Sequence, residues 1–186
     1  QRRHQTWLIT LLFTDIVGST RLKQQHGDTE GFALIHRHNA IVRELLSRFD
    51  RAEEISTAGD SFFLVFAKPS DAVKFALLLQ ARLRALATET GKPVLDRIGI
   101  HVGEVVIEEH ERGPKPKDVY GTQIDVCARV MGLAEGEQIL LTRGVFDSAR
   151  QALKGEDIEG VMELSWLNHG LYLLKGIEDS VEVCEV

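Results

Sequence analysis

The chain has 186 residues, 44% of them hydrophobic and 27% charged, which suits one folded soluble domain with a sizeable core and excludes disordered and fibrous classes. A net charge of −6 argues against a nucleic-acid binder, whose footprint is a basic stripe. Cys127 and Cys184 show no metal spacing and cannot staple a chain this long, so a reduced, cytoplasmic setting is expected. No apolar run reaches the roughly 18 residues of a bilayer span, so no direct membrane contact is expected of this stretch. The opening residues QRRHQTW lack a methionine, and residues 1–186 read as one domain cut from a longer, multidomain parent that could be anchored elsewhere.

In chain order, residues 6–14 (TWLITLLFT) are β-branched and apolar, a central strand. From about Thr20 to Phe49 the apolar positions recur at helical spacing, and Gly27, Asp28 and Gly31 divide them into a short and a long helix. EEIST and SFFLVF flank AGD as a tight hairpin. Ser70 is placed to cap the helix DAVKFALLLQARLRALATET, which stops at Gly91. RIGIHVGEVVI reads as a strand broken by Gly99 and Gly103, followed by the charged, proline-containing loop EEHERGPKPKD. A helix from Thr122 to Leu133, the strand QILLT, the helix RGVFDSARQAL and three short strands, VMELSWL, GLYLLK and VEVCEV, complete the chain. The core order is β-α-β-β-α-β. This predicts an α+β, ferredoxin-like antiparallel sheet with helices on one face and C-terminal additions.

In such a sheet the first strand lies beside the central hairpin, so Asp15, at the end of the first strand, and Asp60, in the hairpin turn, should meet. Two adjacent carboxylates repel unless a cation lies between them or one is protonated. Oxygen ligands select magnesium, manganese or calcium over zinc. The backbone N–H groups of Val17, Gly18, Ser19 and Thr20, opening a helix, could cradle a phosphate chain. Taken singly, an aspartate before GST is more often a helix cap and AGDS an ordinary turn. Their pairing across adjacent strands favours the metal reading.

FTDIVGST, TAGDSF, RIGIHVGEV, DVYGTQIDVCARV and LKGIEDSVEVCEV resemble, in order and spacing, the successive motifs of the class III adenylate/guanylate cyclase catalytic domain, over nearly the whole chain. The resemblance implies a head-to-tail homodimer that converts a nucleoside triphosphate to a 3′,5′-cyclic monophosphate and pyrophosphate with two divalent ions, Mg2+ or Mn2+. It implies Asp15 and Asp60 as metal ligands, completed by the carbonyl of Ile16. Arg129, from the opposite protomer, would stabilise the transferring phosphate, and Lys175 would hold the terminal phosphates. Asp118 would accept from the exocyclic amine of adenine, favouring ATP over GTP, although a cytosine amine would also satisfy it. His101 reads as packed within the sheet, and His169 carries no role.

Two positions depart from the family pattern. Ser56 stands where a base-reading lysine is usual; its hydroxyl is short and both donates and accepts. Thr57 points to the other face. Asp125 stands where an asparagine orients the ribose, adds charge opposite a polyanion, and sits one helical turn from Arg129. Catalysis is therefore expected to be weak, or to depend on manganese or on a regulatory domain of the parent chain. The alternative is a silent cyclase-like module that binds nucleotide or dimerises. A diguanylate cyclase is disfavoured because AGDSF holds one acid only, and a phosphoacceptor receiver because its parallel βα alternation has no hairpin.

Overall fold

The computed structural model describes residues 4–111, 113 and 117–186. Strand β1 (His4–Ile16) is followed by helices α1 (Ser19–His26) and α2 (Asp28–Leu46), the hairpin β2 (Glu53–Ala58) and β3 (Ser61–Phe66), helix α3 (Pro69–Thr90) and the long strand β4 (Asp96–Glu109). Then come β5 (Lys117–Tyr120), α4 (Thr122–Leu133), β6 (Ile139–Thr142), α5 (Arg143–Ala152), β7 (Leu167–Tyr172) and β8 (Val181–Glu185). The strands form one sheet in the order β2-β3-β1-β4-β6-β8-β7, with β5 paired to the far end of β4. All pairings are antiparallel except β4 with β6. The expected ferredoxin-like core is thus present.

Alternation along the strands builds two apolar layers. Leu12, Leu64, Ile98, Ile100 and Leu141 lie under α2, α3 and α5, where α2 contributes Leu34, Val42 and Leu45 at helical spacing. Burying each such side chain stabilises the fold by about 1.5–3 kcal/mol. The opposite layer holds Leu11, Phe63, Val65, Val105 and Cys127. Helix α4 covers only part of this second face, so the N-terminal half of β1 lies bare, with Trp7 50% and Leu8 67% exposed. Both cysteines are free and buried.

Four local readings differ from the sequence expectation. Gly99 and Gly103 do not break β4; a Cβ at Gly99 would lie 2.4 Å from the backbone nitrogen of Met131, and one at Gly103 2.7 Å from Gln123. These glycines admit α4 to the sheet, so it packs on the face opposite the other helices. Helix α3 begins at Pro69 with Lys68 as its N-cap, and Ser70 does not cap it. VMELSWL forms no strand of its own: Val161 makes a single bridge to Ile158, Leu167 already opens β7, and Trp166 packs edge-on against Phe146. The loop expected between Glu108 and Lys117 is shorter, because β4 runs to Glu109; residues 112 and 114–116 lie outside the described residues. Among the described residues no helix is long and apolar enough to cross a membrane.

Candidate active site

Asp15 and Asp60 reach the same end of the sheet by different routes. β1 pairs antiparallel with β3 as far as Thr14–Phe62, which carries the hairpin turn alongside the last residues of β1. Gly59 supplies the positive φ, 65°, that this two-residue turn needs. Asp60 then accepts from the backbone N–H of Ile16 through Oδ2 at 2.9 Å. Asp15 lies in register opposite Arg97 on β4 and takes a two-pronged bond from it, Nε to Oδ1 at 2.7 Å and Nη2 to Oδ2 at 3.1 Å. This contact holds the Arg97 guanidinium still more firmly protonated. Side-chain exposures of 17% for Asp15 and 32% for Arg97 leave the pair partly screened.

Behind these carboxylates lies a network with no counterpart in the sequence reading. His38, wholly buried on α2, shares a 2.8 Å bond from Nε2 with Oδ2 of Asp96, which also accepts from Thr14 Oγ1 at 2.9 Å. The other ring nitrogen of His38 meets Asn39 Oδ1 at 2.8 Å, and Asn39 Nδ2 donates to the carbonyl of Gly59 at 2.9 Å, tying α2 to the Asp60 turn. Burial works against a charged His38, but the bond and field of Asp96 outweigh it and leave its pKa above the usual value. Burial also pushes Asp96 up, opposed by its bonds to His38 and Thr14. We assign the shared proton to the imidazole, because both ring nitrogens of His38 face oxygen acceptors, Asn39 Oδ1 and Asp96 Oδ2, and only the imidazolium donates through both.

The N–H of Val17 donates to the carbonyl of Leu95 at 2.8 Å, so it is not available to a phosphate; Gly18, Ser19 and Thr20 open α1 with Gly18 left-handed as N-cap. Ser56 sits beyond a β-bulge and pairs with Phe63, while Thr57 pairs with Phe62 on the helix-covered face and bonds Glu54. Asp118 pairs with Glu108 on β4, and His110 lies 2.8 Å from its Oδ2. Asp125 and Arg129 are both exposed on α4, and no ion pair joins them among the described residues. Lys175 is exposed in the turn after β7. His101 bonds Thr142 at 2.6 Å and Gln123 at 2.5 Å, and burial lowers its pKa.

The chain therefore brings together Asp15, Ile16 and Asp60, and leaves Arg129 and Lys175 without contact to them. Among the described residues no cluster of three or more His, Cys, Asp or Glu side chains is arranged for a metal. The donors at hand are two carboxylates and a carbonyl, all oxygen, the set that suits a hard divalent ion. Sequence reasoning missed Arg97, His38 and Asp96. The strand register alone identifies Arg97; nothing short of the packing of α2 identifies the other two.

A family model described as the adenylate and guanylate cyclase catalytic domain matches residues 2–176. The receptor-type adenylate cyclase GRESAG 4.3 of Trypanosoma brucei brucei is 28% identical over 222 residues, covering 99% of this chain and 17% of the receptor. The chain thus spans about a sixth of that relative's length. A T. brucei adenylate cyclase structure in its monomeric state superposes with a TM-score of 0.76 at 26% identity, covering 96% of this chain and 87% of the other. The crystal structure of the adenylyl cyclase CyaB from P. aeruginosa gives a TM-score of 0.84 at 16% identity, over 99% and 95%. The last likeness is one of fold.

Proposed function

Because the chain belongs to the adenylate and guanylate cyclase catalytic domain family, we propose that it converts a nucleoside triphosphate, ATP foremost, to the 3′,5′-cyclic monophosphate and pyrophosphate at a site shared by two copies of the chain. One observation carries this reading: the 2.9 Å bond from Ile16 N–H to Asp60, next to Asp15, gathers a carboxylate of β1 and one of the hairpin turn at one end of the sheet.

Asp15, Asp60 and the Ile16 carbonyl would hold two divalent ions, magnesium or manganese. Bound there, such ions supply Lewis acidity that makes the ribose 3′-hydroxyl a better nucleophile and neutralises the departing pyrophosphate. Phosphoryl transfer asks the protein mainly for position and charge. Arg97, once Asp15 is shared with a metal, is freed to face a phosphate oxygen, and the amides of Gly18, Ser19 and Thr20 can cradle the chain behind it. From the second copy, Arg129 stabilises charge on the transferring phosphate and Lys175 the terminal ones. Asp118 and Ser56 address the base, and Asp125 lies toward the ribose. The relatives carry this stretch within much longer receptor-type proteins, which supports regulatory domains in the parent chain and a cytoplasmic station for this one.

The second reading, a silent nucleotide-binding or dimerising module, draws on Asp125, on Ser56 and on the Arg97 clamp over Asp15. Incubating the protein with ATP, GTP, CTP and UTP plus manganese and measuring cyclic product separates the two. Cyclic AMP in excess of the other products is expected; no cyclic product from any of the four overturns the enzymatic reading.

A further inference from the structure

Five hydrogen bonds close a circuit around the two carboxylates. Thr14 Oγ1, one residue before Asp15, donates to Asp96 Oδ2 at 2.9 Å, and the same oxygen holds His38 Nε2 at 2.8 Å. His38 Nδ1 meets Asn39 Oδ1 at 2.8 Å, and Asn39 Nδ2 donates to the Gly59 carbonyl at 2.9 Å. Asp60, next in sequence to Gly59, accepts from the N–H of Ile16 through Oδ2 at 2.9 Å, and Ile16 follows Asp15. The circuit starts beside one acid, crosses the core by way of α2 and returns beside the other. Its middle is fixed, since His38 and Asp96 are fully buried, whereas Gly59 is exposed and Asp60 half-buried.

The β1–β3 ladder ends at Thr14–Phe62, so the turn that carries Asp60 overhangs it. Among the described residues two side-chain bonds hold the overhang, Asp60 to Ile16 and Asn39 to Gly59. The first engages the carboxylate that an ion would draw on; the second grips the backbone and leaves that carboxylate alone. The Asn39 amide has one orientation, because a carbonyl only accepts: its NH2 faces Gly59 and its oxygen faces His38. Turning it over would set its oxygen against the Gly59 carbonyl. Resting on the reading of Asp15 and Asp60 as metal ligands, we propose that Asn39 is a positioning residue of that site. Through Gly59 it sets the place of Asp60 relative to Asp15, and with it the affinity of the pair for a divalent ion. His38 aims the Asn39 amide, and Asp96 and Thr14 tie His38 back to the strand that carries Asp15.

The test is manganese uptake by the whole chain without nucleotide, read from loss of the free-ion electron paramagnetic resonance signal, with Asp60→Ala as background. Asn39→Leu keeps the side chain's bulk and removes both bonds. Asn39→Asp keeps the acceptor for His38 and removes only the donor to Gly59. Each should raise the manganese dissociation constant roughly 10- to 100-fold, the usual effect of losing a partner behind a metal ligand. In turnover the manganese activation constant should rise in step, by more than kcat falls or the KM for ATP rises. The metal-free Tm should drop by only a few degrees, because Asn39 is half-buried. An asparagine that merely braces α2 would lower the metal-free Tm and leave manganese uptake unchanged in both variants, which overturns the proposal. Equal uptake by wild type and Asp60→Ala, none by either included, overturns it too, since the Asp60 turn would then hold no ion. If the wild type takes up manganese but forms no cyclic product from any triphosphate, the cyclase reading fails, and a raised dissociation constant in the Asn39 variants still supports the positioning role.

Discussion

At the Asp15 end of the sheet, Asp15, Asp60, Arg97 and His38 all find partners within the chain, whereas Asp125 and Arg129 on α4 and Lys175 after β7 stand in solvent and bond no other described residue. The second region also exposes apolar side chains, Leu171 at 70% and Leu173 at 81%, close in sequence to Lys175. The first region is braced by bonds within the chain; the second carries charged side chains with no neighbours to hold them. Exposed apolar residues beside unpartnered charge are what an interaction surface looks like before its partner arrives. The contrast supports a division of labour in which each copy supplies one half of each site, and the predictions below aim at that division.

The largest effect is expected at the preorganised end. Asp15→Ala and Asp60→Ala should each lower metal-dependent turnover by on the order of 1,000-fold or more, with far-UV circular dichroism retained because both side chains lie at the rim of the core. Mixing inactive Asp15→Ala with inactive Arg129→Ala chains rebuilds one intact site per heterodimer, and should restore roughly a quarter of wild-type activity at random exchange. Absence of recovery, with exchange shown by a tagged chain, would place both halves in one chain and end the comparison.

How much of this contrast was legible before folding depends on the range of the interaction. The meeting of Asp15 and Asp60 follows from strand order, since a ferredoxin-like core puts the first strand beside the hairpin, and the Ile16–Asp60 bond reports that adjacency. Helices α4 and α5 follow from apolar periodicity. Arg97 was hidden because its partner lies 82 residues away and only the β1–β4 register brings them opposite. Nothing in the sequence singles out His38 or Asp96; their burial depends on how α2 crosses the sheet. Gly99 and Gly103 are visible in the sequence, where they suggest strand breaking, whereas the physical demand is room for α4.

A smaller effect is expected at the exposed end. Asp125 adds negative charge where ribose and phosphates would pass, and it makes no ion pair with Arg129 that could mute it. Asp125→Asn removes the charge and adds a donor, which should raise turnover with magnesium about 5-fold, the value of one ordinary hydrogen bond. Equal rates for the two proteins would show that the acid costs nothing in catalysis.

The smallest effect contrasts buried His38 with half-buried His101, one from each region, through the pH dependence of stability. His38 has a folded pKa raised above its unfolded value near 6.5, because Asp96 outweighs burial. Its contribution is therefore fully present below about pH 6.5 and is lost as pH rises through the folded value. His101, beneath α4, is lowered by burial. Its contribution is present above about pH 6.5 and is lost as pH falls through the folded value. Thermal unfolding of the apo protein between about pH 5 and 9 should accordingly show an alkaline decline that His38→Gln flattens and an acid decline that His101→Gln flattens, each by on the order of a few degrees. If His38→Gln flattened the acid side instead, the proton would not reside on the imidazole, and the Asp96 network would be a neutral brace behind the carboxylates with no electrostatic part in holding them.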